Sequence, residues 1–442
     1  MGESSIPKLL FSFSVPAMVG MIVSASYNVI DRIFIGHGVG TLGIAGVTIG
    51  FPMMLVMMAF AMLIGLGGAA LISIRLGEKN KEQAELILGN GFIFLLITSA
   101  LITIPGLIYI DPLLRFFGSS DQITPYARNY MSIIIAGAIF QSISFGGNAF
   151  IRAEGNPRIA MATMLIGAGM NAILAPIFIF IFHWGMRGAG AATITAQAIS
   201  ATWVLIYFLS GKSALTLKAA NIKPQFSIFK NITVVGSAPF AMQIAGSMLM
   251  IVFNHSLEHY GGDTAISAMG VVNAIAMLIM MPIFGVNQGA QPIIGYNFGA
   301  KKYDRVIRTL RHAILVATVI VAIGYILIQI FPVWIIKLFE PNDTELIKVG
   351  SHALTMFLAF LPIVGFQAVC ASYFLAVGKP KLSMTLTLSR QVIFLLPALL
   401  ILPYFFKLNG VFMSGPVSDL LSSIMTGIFI LREIRLLHRQ RS

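Results

Sequence analysis

Two carboxylates decide where chemistry is possible in this chain. Of its sixteen Asp and Glu residues, fourteen lie between or at the ends of long apolar stretches, and only Asp31 and Asp419 lie within them. An ionisable group held in lipid costs roughly 2.5 to 3.5 kcal/mol on insertion scales, so the survivors are candidates for function. Asp31 follows Pro16 by fifteen residues, with Asn28 one turn before it. A carboxylate in such a place holds a proton when cut off from water and releases it when wetted or approached by a cation. That exchange would couple proton entry to cation exit. The structural alternative is that Asp31 caps the outer end of its helix and pairs with Arg32. Asp419 has a different neighbour: Arg390 lies in the preceding apolar stretch, and the two form either a structural charge pair or part of an ion or substrate site.

Other candidates are neutral. Asn148, Asn171, Thr193, Gln141, Gln197, Gln243, Asn254, Asn273, Asn287, Gln288 and Gln291 lie within apolar stretches. Some must join helix to helix, and Gln141, Asn148, Asn254 and Gln288, with Asn28, are expected to face a substrate cavity. The 24 methionines suit either ordinary packing or a surface that accepts many shapes. His255, Glu258 and His259 spell H-x-x-E-H, an inverted zinc-peptidase pattern that Glu340 or Glu345 could complete. The pattern sits at the outer mouth of an apolar stretch with no folded domain to form a cleft, so no metal site is expected. No Walker loop, dinucleotide fingerprint or Ser/His/Asp arrangement offers a better enzyme.

The elements that must position these residues are membrane helices. Apolar residues make up 57% of the 442 and charged residues 10%, against roughly 25% charged in a soluble domain. Twelve stretches are long enough to span a bilayer as helices: 9–35, 44–73, 86–110, 125–151, 159–182, 189–210, 232–257, 265–296, 311–334, 350–377, 383–405 and 411–431. The first runs past the usual signal-peptide length and reads as an uncleaved helix. Cys370 is the single cysteine, which excludes an intrachain disulfide.

The chain is also written twice. A shift of 223 places Pro16 on Pro239, Ala45 on Ala268, Gly155 on Gly378 and Pro157 on Pro380. Six spans per copy is an even number, so the two copies are parallel repeats around a central pathway, the plan of a carrier. The polar stretch 211–231 separates an N-lobe, 1–210, from a C-lobe, 232–442. Pro16 and Pro239 occupy the same place in the first helix of each copy, where a kink could serve as a hinge.

The net charge of +13 follows from orientation. With the N-terminus inside, 21 of the 29 Lys and Arg residues fall on the cytoplasmic side and seven outside, which places both termini in the cytoplasm. The basic residues alternate with spans and form no single face, so no nucleic acid partner is expected.

Three segments carry a family resemblance: Ser14-Val15-Pro16 through Asp31-Arg32-Ile33-Phe34-Ile35-Gly36, Ile151-Arg152-Ala153-Glu154-Gly155-Asn156-Pro157, and Val377-Gly378-Lys379-Pro380. Over essentially its whole length the chain resembles the multidrug and toxic compound extrusion (MATE) family, and within it the bacterial MepA-like branch. The resemblance implies an all-α integral membrane protein with twelve helices in two lobes. It implies an antiporter of the bacterial inner membrane that expels organic cations and amphipathic drugs against protons or sodium, with no other cofactor, acting as a monomer in the lipid bilayer. It also implies that Asp31 is the first-helix coupling acid, Pro16 the hinge, and Asn148, Asn171 and Thr193 the amino-lobe polar positions, Asn171 and Thr193 being coupling residues. One departure stands out: where such proteins carry Asp four residues after the fifth-helix Asn, this chain has Ala175. The seventh-helix acid of sodium-coupled relatives is absent too, with Ser247 in its place. Protons are therefore favoured over sodium. A lipid-linked precursor flippase shares the two-lobe plan, but such carriers grip pyrophosphate with several arginines, and here only Arg390 lies within a span away from its ends.

Overall fold

Lipid offers no partner to a backbone N–H or C=O, so a spanning chain must satisfy its own, and helices do so locally. The structure, a computed structural model, describes residues 2–117, 119–211, 213–338 and 344–439. Among the described residues every regular element is a helix. The first copy contains α1 (Ile6–Gly38), α2 (Thr41–Gly77), α3 (Lys81–Ile108), α4 (Ile110–Phe116), α5 (Thr124–Ala136), α6 (Ala138–Glu154), α7 (Pro157–Pro176) and α8 (Gly185–Leu209). The second contains α9 (Phe226–Gly299), broken at Gly262, then α10 (Tyr303–Ile330), α11 (Pro332–Lys337), α12 (Thr344–Phe357), α13 (Leu361–Ala376), α14 (Pro380–Leu388) and α15 (Leu396–Arg439), broken at Lys407. Wide π turns follow α7, at Ile177–Ile181, and α14, at Ser389–Leu395.

Nine helices among the described residues are long and apolar enough to cross a membrane. Two bent pairs, α5 with α6 at 53° and α12 with α13 at 50°, each make one span more. The helical run Pro380–Leu437, counted as one of the nine, is 58 residues long and breaks at Lys407 (φ 52°, ψ −132°), so it holds both stretches expected at 383–405 and 411–431. The twelve expected spans are thereby accounted for.

The duplication is visible in how helices end. Gly155 (φ 109°) and Gly378 (φ 70°) take left-handed backbone that other residues adopt only with strain. In each, the glycine N–H returns to the carbonyl three residues back, Arg152 or Leu375, while the next N–H reaches the carbonyl five back, Ile151 or Phe374. These are the paired bonds that stop a helix and reverse the chain. Pro157 and Pro380 then start α7 and α14, where a missing N–H costs nothing.

Two compact units result: Val15–Phe240, and Met1–Ser14 with Ala241–Ser442. This division differs from the halves marked by the 211–231 stretch, because each unit includes the beginning of the other copy's first helix. The changeovers fall two residues before Pro16 and one after Pro239. Close backbone approach explains the assignment. A Cβ on Gly236 would lie 1.8 Å from the Leu63 carbonyl oxygen, and one on Gly67 would lie 2.5 Å from that of Ile232. The second unit repeats the crossing with Gly289 against Ser14.

The connection between copies is strapped to the Val15–Phe240 unit. Glu85, 2% exposed, accepts from the Thr216 N–H and hydroxyl and pairs with Lys218 Nζ at 2.6 Å. Asn90 receives the Gln225 N–H at 2.7 Å and donates to the Asn221 carbonyl. Glu154 accepts from Tyr207, Ser213 and the Leu215 N–H. A buried carboxylate needs such donors, and the loop supplies them.

Candidate functional site

In the Val15–Phe240 unit, α1 carries Asp31 at 7% exposure. Ile35, one turn further on, belongs to an apolar cluster with Met57, Tyr130, Met131, Ala175, Ile179, Ala189 and Ala192. Asn171 precedes Ala175 by one turn and Thr193 follows Ala192, so the three polar residues are each carried by a helix that enters this cluster. Asn171 Nδ2 donates to Thr193 Oγ1 at 3.1 Å, and that hydroxyl donates to the Ala189 carbonyl at 3.1 Å. Asn171 and Thr193 are 3% and 5% exposed, so this short chain fixes two helices against each other in a dry setting. Ala175 is fully buried among apolar side chains, and a carboxylate there would stand in that cluster.

Asn148 is elsewhere in the same unit. Its Nδ2 donates to the Ala160 carbonyl, joining α6 to α7, and its Oδ1 accepts from Arg152 one turn along α6, so the amide is committed at both ends. Arg152 reads in the sequence as an orientation charge only. In the structure it is 5% exposed, and among the described residues it has no carboxylate partner. Its neighbours Ala149, Phe150, Ile151 and Ala153 are all inside as well. Gln141 is half-buried on α6.

In the second unit the expected charge pair is present. Arg390 Nε donates to Asp419 Oδ1 at 2.7 Å, and Asp419 is 3% exposed. Ser418 Oγ donates to the Arg390 carbonyl, within the π turn Ser389–Leu395. Asn287 donates to the Ala368 carbonyl and Gln288 beside it is half-buried. Pro16 is half-buried inside α1. The side chains of Asn28, Arg32, Asn254 and Glu258, and residue Glu340, lie outside the described residues.

His255 and His259 are exposed, and the His259 ring stands edge-on to Tyr260. Among the described residues no three His, Cys, Asp or Glu side chains gather to hold a metal. The mid-membrane charges are not duplicated: the 223 shift carries Asp31 to Asn254, Arg390 back to Gly167 and Asp419 back to Ala196. The site chemistry therefore differs between repeats that share a backbone.

The MatE family model matches residues 16–177 and again 239–400, the same shift of 223. The chain is 27% identical to the multidrug export protein MepA of Staphylococcus haemolyticus (strain JCSC1435), a match covering 98% of this chain and 95% of that one. Among solved structures, the MATE multidrug transporter DinF-BH, in complex with a ligand, is 41% identical with a TM-score of 0.91, covering 98% of this chain and 97% of that one. A MATE captured in the bent conformation is 25% identical, with a TM-score of 0.94 and coverage of 99% and 98%. Two matched repeats, twelve spans and the left-handed glycine before each proline lead to one conclusion: the chain belongs to the MatE family, the multidrug and toxic compound extrusion transporters.

Proposed function

We propose that this chain is a secondary antiporter that exports organic cations and other amphipathic drugs by alternating access, exchanging them for protons at Asp31. The observation that carries the reading is a carboxylate only 7% exposed inside a membrane helix. Such a group changes its proton occupancy whenever its access to water changes, and alternating access changes that twice per cycle. The S. haemolyticus relative is a multidrug export protein and DinF-BH is a multidrug transporter, which supports the same class of cargo here.

Protons suit the site better than sodium. A sodium ion wants several oxygen ligands, and the Thr193 hydroxyl already accepts from Asn171 and donates to Ala189. With Ala175 in place of a second acid, Asp31 carries the coupling alone in its unit. One proton moving inward supplies about 2.3 kcal/mol per 100 mV, and about 1.4 kcal/mol more per unit of pH difference. Gln141 and Gln288 supply polar contacts to cargo, Pro16 lets α1 bend, and both termini face the cytoplasm of a bacterial plasma membrane. The protein acts as a monomer.

The test is proton-driven dye transport in inverted vesicles. Asp31→Asn keeps the shape and removes the titration, so transport driven by a pH gradient should fall to the level of empty vesicles. Undiminished proton-dependent transport by this variant would refute the mechanism.

A further inference from the structure

An arginine carries five N–H donors, and in hydrocarbon each needs a partner. Arg390 lies ten residues beyond Pro380, where α14 begins. Counted from residue 383, where the apolar stretch begins, the helical rise puts it about 10 Å in, roughly a third of the way across a core about 30 Å thick. Among the described residues its side chain makes one polar contact, from Nε to Asp419 Oδ1. The Asp419 side chain is closed off at 5% exposure, whereas that of Arg390 keeps 35%. The Nε side of the guanidinium is therefore the packed one, and the Nη1/Nη2 edge is the open one. Charged groups at this depth face a bundle interior or a wet cavity.

Two neighbouring features point the same way. Gln391 has its Oε1 buried and, among the described residues, without a hydrogen-bond partner. Beside it the chain leaves room: a Cβ on Gly246 would meet only Gln391 Nε2, at 3.8 Å. Both Arg390 and Gln391 are presented by the π turn Ser389–Leu395, to which Ser418 donates a hydrogen bond at the Arg390 carbonyl. An ion pair that served packing alone would have its remaining donors satisfied too.

We propose that the Nη1/Nη2 edge of Arg390 is an anion-recognising subsite that takes the carboxylate of an acidic or zwitterionic amphiphile, with the Gln391 amide and the gap at Gly246 beside it. As a cargo subsite it rests on the exporter reading above. Two parallel N–H groups match the two oxygens of a carboxylate. Asp419 is the positioning residue: held on Nε, it fixes the plane of the guanidinium and turns the free edge outward.

The test compares a cationic rhodamine ester with the same rhodamine as its free acid, by fluorescence polarisation on purified full-length protein. Arg390→Gln is combined with Asp419→Asn so that no buried charge is left alone, and Arg390→Lys keeps the charge pair while removing the fork. The acid-to-ester affinity ratio should fall about tenfold in the double variant, a loss of about 1.4 kcal/mol, and should fall in the lysine variant as well. An unchanged ratio in both variants, or no binding of either dye by the wild-type protein, overturns the proposal. Ester uptake into wild-type vesicles is measured separately and tests the exporter reading, so the two failures are distinguishable.

Discussion

The α6–α7 junction and its repeat, the α13–α14 junction, have the same backbone and different bonds. In the first, Asn148 donates from α6 to the Ala160 carbonyl on α7; in the second, Ser383 donates from α14 to the Ala371 carbonyl on α13. The shift of 223 relates Asn148 to Ala371 and Ala160 to Ser383, so the bond is kept while donor and acceptor have changed places. The carboxylate near each junction, half-buried Glu154 or buried Glu433, behaves likewise. Glu154 on α6 accepts from Tyr207 on α8, whereas Glu433 on α15 accepts from Tyr373 on α13 and Lys379. What the duplication preserved is the need for a bond at each helix contact, since a buried polar group without one is costly. Which copy of a position supplies the side chain was free to drift.

The largest effect is expected where a partner has no substitute in the other repeat. Asp419→Ala leaves the Arg390 cation unpaired at membrane depth and should cost about 3 kcal/mol, with adding Arg390→Gln recovering most of it; thermal unfolding in detergent measures both. Asn148→Ala removes a helix-to-helix bond and the partner of buried Arg152 together, for about 2 kcal/mol. The glycine caps come next. Gly155→Ala and Gly378→Ala should each cost about 1–2 kcal/mol, the former more because φ 109° lies further from the left-handed minimum than φ 70°. Equal melting temperatures for these two variants would break the comparison at the backbone level. Ser383→Ala should be mildest at about 1 kcal/mol, and a loss as large as that of Asn148→Ala would mean Arg152 does not depend on Asn148.

The apparent halves and the compact units differ for a related reason. Composition marks 211–231 as the seam, yet Glu85, Asn90 and Glu154 hold that stretch onto one unit. The two changeovers lie instead within two residues of Pro16 and Pro239. Proline spacing was visible in the sequence, but the crossing of Gly67 and Gly236 that assigns each side was not. A close approach between residues so far apart in the chain leaves no local pattern.

Much of the candidate site was legible for a physical reason. Charges at membrane depth are rare enough that Asp31, Arg390 and Asp419 stand out by type and position, and the Arg390–Asp419 pair formed as their spacing on consecutive spans suggested. Arg152 and Glu85 did not stand out, because near a helix end an exposed charge and a buried one look alike in sequence. Their burial depends on loops and helices distant along the chain.

Apolar run length, the internal shift and the glycine before each proline determined by themselves the spans, the repeat and the helix stops, since each is set by interactions within a few residues or by solvent. The bends within α5–α6 and α12–α13, the strapped connection, the direction of each helix-to-helix bond and the open edge of Arg390 were decided only by tertiary packing. They depend on which distant donor reaches which buried acceptor, and that is a property of the assembled helices.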